Sequence, residues 1–163
     1  MRSDKLTSKF QLALADAQSL AVGQDHQFIE PVHVLVALLD QQGGSVRGVL
    51  TKAGVNVNLL RSQLGDAIDR LPKVEGSGGE VHIGNDLTKL FNVTDKLAQK
   101  RNDQYISSEL FLLAALEANS PLKALLEQAG AVKGAIEIAI DELRGGQQVN
   151  DPNAEDTRQA LDK

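Results

Sequence analysis

An all-α fold is what this 163-residue sequence predicts: two tandem four-helix repeats related by an approximate two-fold axis, then a flexible tail. Three observations predict it. Apolar residues recur at helical spacing, the whole pattern is stated twice about 77 positions apart, and a glycine-rich stretch separates the two statements.

The first helix follows Leu6, where Phe10, Ala13, Leu14, Ala17, Leu20 and Ala21 form one apolar stripe. Adding 77 gives Leu87, Leu90, Phe91, Thr94, Leu97 and Ala98, a stripe with one polar member. Polar turns follow both, GQDHQ at 23–27 and KRNDQ at 100–104. The second helices, within IEPVHVLVALL (29–39) and ISSELFLLAAL (106–116), are apolar on nearly every side and must be buried. Pro31 suits a first helical position, and Ser107 is a good N-cap.

After these the offset drops to 76. Val46, Val49, Leu50, Ala53 and Gly54 become Leu122, Leu125, Leu126, Ala129 and Gly130, with Ser45 and Pro121 opening the helices and the glycines closing them. Leu60, Leu64 and Ala67 match Ile136, Ile140 and Leu143 in the last pair. The repeats therefore run over about 1–71 and 86–146 of a domain spanning 1–148. PKVEGSGGEVHIGN (72–85) reads as a linker, and 149–163 as a flexible exit. Seventy residues alone would make a marginal core, so the halves must pack together along a seam, and seams are natural places for grooves.

Composition narrows the chemistry. With 42% hydrophobic residues, five aromatics and no Trp, the core is mostly Leu, Val, Ile and Ala. A net charge of −5 with no Lys/Arg run argues against a nucleic-acid partner. No stretch is long and apolar enough to cross a membrane. The absence of cysteine and of a secretory signal fits a cytoplasmic protein. GSGG at 76–79 has no Lys-Ser/Thr after it, so no P-loop is present and no nucleotide cofactor is expected in this chain. Glu30 and His33 are spaced like half a helical metal site, but the second repeat offers Ser107 and Leu110 there, so no metal is expected. His26 and His82 lie in a turn and in the linker. No serine is marked as a nucleophile beside a histidine, and no catalytic residue is expected. Three polar residues stand out instead: Thr7, Asp103 and Glu109 all fall near helix starts, where they cap or complement an N-terminus and where the repeats should meet.

These stretches, with DKLAQKRNDQYISSELFLLAALE and IEIAIDELRGG, resemble the N-terminal domain of ClpB-type protein disaggregases, in the Clp branch of the AAA+ ATPases. The resemblance covers 1–150 and extends into AEDTRQALDK, which is similar to the lead-in to that family's first ATPase domain. It implies a mobile, substrate-capturing domain that binds unfolded or aggregated polypeptides in a hydrophobic groove between the repeats. It also implies a full-length, cytoplasmic, ATP-binding homohexamer working with the DnaK chaperone system. Residues linked to activity would be Thr7, Asp103 and Glu109, with Leu90, Val93, Leu97 and Leu110 lining the groove. Leu110 matches His33, so the groove's two faces would differ. The alternatives are an adaptor-docking module of a Clp-type unfoldase, a structural cap over a pore, and a small hydrolase or metal enzyme.

Overall fold

The computed structural model describes residues 3–74 and 80–155. After a 3-10 turn (Ser3–Lys5), α1 (Ser8–Gly23), α2 (Pro31–Asp40), α3 (Ser45–Lys52) and α4 (Val57–Asp69) form the first repeat. The second comprises α5 (Asn85–Lys100), α6 (Glu109–Glu117), α7 (Pro121–Gln128) and α8 (Lys133–Arg144). The bounds of α5 are those of α1 moved by 77, and those of α7 are those of α3 moved by 76. Local chemistry repeats as well. Asp25 and Asn102 both turn left-handed after the first helix, as short polar residues tolerate. Gly54 and Gly130 do so after the third, at φ 83° and 100°.

Packing follows a two-fold relation. Within the repeats α1 lies on α2 and α5 on α6. Across the seam α3 meets α8 and α6, and correspondingly α7 meets α4 and α2. Phe10, Phe91 and Phe111 pack ring against ring there, with centroids 6.1 to 6.3 Å apart. The apolar stripes feed one continuous core, with α2 and α6 buried through most of their length.

Two segments differ from the sequence reading. The linker is not wholly unstructured, because β2 (His82–Ile83) pairs in parallel with β1 (Phe28–Ile29). Leu6 forms the matching parallel bridge with Ile106. The segment leading into each repeat thus pairs with the loop inside the other. Residues 75–79, which include the GSGG run, lie outside the described residues.

The exit also departs from a free tether over 149–155. Val149 and Glu155 are buried. The Val149 carbonyl accepts from the Gln104 and Tyr105 amides at 2.8 and 3.0 Å, and the Pro152 carbonyl accepts from the Ser8 amide at 2.8 Å. Composition alone made this segment look solvated; its partners lie far away in the chain. Residues 156–163 lie outside the described residues.

Candidate functional site

The seam holds a buried polar cluster at the start of α6. Arg144, in the last turn of α8, donates to both oxygens of Asp103 at 3.1 and 2.9 Å. Its Nε reaches Glu109 Oε1 at 3.2 Å, and its Nη2 reaches Ser107 Oγ at 2.9 Å. The Ser45 hydroxyl, at the start of α3, lies 2.9 Å from Glu109 Oε2 and 2.9 Å from Glu155 Oε2. Glu155 Oε1 accepts from the Ser108 amide at 2.9 Å, the Ser108 hydroxyl at 3.0 Å and the Thr7 hydroxyl. Thr7 also caps α1 by accepting from the Phe10 amide.

The structure therefore brings Thr7, Asp103 and Glu109 together, but inside the protein. Arg144, Ser45, Ser107, Ser108 and Glu155 complete the cluster. The sequence held one clue to Arg144: two acidic residues drawn into a seam require a cation, and an arginine closes the last helix. Nothing local marks Glu155.

The apolar candidates divide. Leu90 and Leu110 are 1% and 0% exposed and line no groove. The reason is geometric: on a helix apolar all round, as α6 is, position 110 faces the core. Val93 and Leu97 are half-buried against the core, four residues apart on α5. Their first-repeat counterparts, Asp16 and Leu20, line a cavity of about 280 Å³ with Val36, Ala37, Asp40 and Arg61.

A more apolar cavity, about 310 Å³, lies beside β1, lined by His26, Gln27, Phe28, Glu30, Leu71, Pro72 and Val74. Phe28 and Val74 flank it at 45% and 39% exposure, and Ile83 on the paired strand is 51% exposed. The buried His26 ring sits on His33, Nδ1 to Nε2 at 2.8 Å. Burial above all, and then Lys73 nearby, lowers the His26 pKa. Position 26 corresponds to Asp103, and position 33 to Leu110. Lacking a histidine at 110, the second repeat turns its buried polar group to Arg144 instead. Among the described residues, no three or more His, Asp or Glu side chains are grouped to hold a metal, and no helix is long and apolar enough to cross a membrane.

The Clp repeat (R) N-terminal domain family matches residues 5–129. The chain belongs to that family. It is 58% identical to the chaperone protein ClpB of Vibrio cholerae over all 163 residues, which is 19% of that protein's length. The chain thus spans about a fifth of the curated relatives it matches. Among solved structures, the Hsp104 N-terminal domain from Candida albicans superimposes with a TM-score of 0.81 at 21% identity, covering 93% of this chain and 99% of that one. A complex of the ClpV N-domain with a VipB peptide gives 0.61 at 23% identity, covering 96% and 88%. The doubled four-helix arrangement is therefore the fold of Clp N-terminal domains.

Proposed function

We propose that this Clp N-terminal domain captures unfolded or aggregated polypeptides for a ClpB-type disaggregase. It would bind them weakly and pass them to a cytoplasmic, hexameric, ATP-driven ring in the full-length protein, which works with the DnaK chaperone system. The observation that carries this reading is the pair of exposed apolar side chains, Phe28 and Val74, that line the cavity beside β1. Scattered exposed apolar residues are ordinary, whereas a cluster around a cavity marks a contact site. Val93 and Leu97 offer a second, shallower contact on α5.

Covering such a rim gains roughly 25 cal/mol per Å² of apolar surface. Association and chain ordering consume much of that, so affinities of order micromolar or weaker follow. Weak binding suits a domain that must surrender its client.

Chemical-shift mapping of the labelled chain with a denatured client tests this. Shifts should centre on 27–30, 71–74 and 82–83, and Phe28→Ser with Val74→Ser should weaken binding at least fivefold. Clients that leave those amides unmoved would sink the proposal. Leu110→Ser is no test of contact, because it disrupts the core. A second reading, docking of one folded adaptor, draws support from the fold-related ClpV N-domain seen with a VipB peptide. A panel of unrelated unfolded clients separates the two, since an adaptor dock should ignore most of them.

A further inference from the structure

The two repeats solve one problem differently. At the start of α2 the carboxylate is built in: Glu30 forms a capping box with His33, and its Oε1 lies 2.0 Å from where a Cβ on Gly84 would stand. The corresponding positions at the start of α6 are Ser107 and Thr7. Ser108, the residue before α6, makes no side-chain cap. The carboxylate comes instead from Glu155, which takes the Ser108 amide at 2.9 Å.

Around it stands a built receptor. Hydroxyls of Thr7, Ser45 and Ser108 and the Ser108 amide converge on one carboxylate, and all three residues are buried. Six residues upstream is a second anchor. Val149 is buried, its carbonyl held by two amides and its own amide by Asp103 Oδ1 at 3.0 Å. Between the anchors the strap is exposed or half-buried, held by the Ser8 amide on Pro152 and the Ser8 hydroxyl on Asn153 at 2.9 Å. Asp151 turns the strap, its carbonyl taking the Ala154 amide at 3.0 Å and its side chain the Asn153 amide at 2.8 Å. The slot thus reads a turned backbone, one aliphatic side chain and one carboxylate.

Val149 is the one large apolar side chain the strap buries, set against the ordering of seven residues. The single Ser45 proton serves either Glu109 or Glu155, so seating the strap sets two carboxylates beside one hydroxyl.

We propose that this seam slot is a peptide-binding site for short acidic segments that turn between an aliphatic residue and a carboxylate six positions later, and that residues 149–155 occupy it in cis. An acidic segment of another polypeptide then competes with the strap. Its release frees seven residues, about 23 Å of extra reach for whatever follows. The slot is separate from the rim beside β1, and it stands or falls independently of client capture.

The test uses the 163-residue chain, as parent and as Glu155→Ala, with an amidated peptide QQVNDPNAE copied from 147–155. The peptide should bind Glu155→Ala at least tenfold more tightly than the parent and shift the Ser8, Gln104, Tyr105 and Ser108 amides. The same peptide ending in Gln should bind at least tenfold more weakly. A folded Glu155→Ala chain that ignores the peptide, or that binds it away from these amides, overturns the proposal. Should that variant fail to fold, hydrogen exchange on the parent decides. The Ser8, Gln104 and Tyr105 amides should exchange at least a hundredfold faster than that of Leu113 in α6, and equal rates overturn the proposal.

Discussion

His33 is held neutral by its neighbours. The Glu30 amide donates to its Nδ1 at 2.8 Å, so its proton sits on Nε2 and is donated to His26 Nδ1. That leaves the His26 proton on Nε2. Burial, reinforced by His26, pushes the His33 pKa down from 6.5 to about 4. The unfolded chain binds a proton in this window that the folded chain refuses. Stability from His33 is therefore complete above its unfolded value and drains as pH falls towards 4, by about 2 kcal/mol between pH 7 and 5. His26, also lowered, adds in the same direction; Glu30, raised by burial and by Asp86, opposes it. Urea midpoints at pH 7 and pH 5 should show the loss, and His33→Leu should flatten most of the slope. An unchanged slope would place its source elsewhere. At this scale the sequence was only partly legible. It singled out Thr7, Asp103 and Glu109 as polar groups at helix starts, but a spacing rule does not say which face of α6 carries Leu110 inward.

Among the elements, α2 and α6 differ most in their beginnings. At Gly84, φ is −71°, so alanine suits the backbone. Its Cβ would nevertheless evict the Glu30 carboxylate. Gly84→Ala should cost about 1 kcal/mol, the usual value of a lost cap, read as a fall in the urea midpoint. Adding Glu30→Ser should recover part of the loss, since Ser107 beside Thr7 is the arrangement the other repeat uses. Strictly additive losses would show that Glu30 and Gly84 are not coupled. The helices were legible because each carries its own stripe and stop signals. The two-residue strands and the docked strap were not. Neither has a period to read, and each is fixed by partners that adjoin it only after folding.

For the whole molecule, repetition was the most legible property, because an echo at a near-constant offset survives substitution of individual residues. What the echo could not convey was how tightly the seam closes. A groove was expected where the copies abut; three phenylalanines and an arginine-centred cluster fill much of that junction instead. The cavities described above are lined by residues of the first repeat and the start of the linker. Leu6 pairs with Ile106, and Ile83 with Ile29, so each half lends its opening residues to the other. A backbone cut between residues 74 and 80 would then yield two pieces that still clasp. Separately expressed 1–74 and 80–163 should each remain unfolded alone and regain helical signal when mixed, in a one-to-one ratio. Fragments that fold unaided would mean that the handclasp is dispensable.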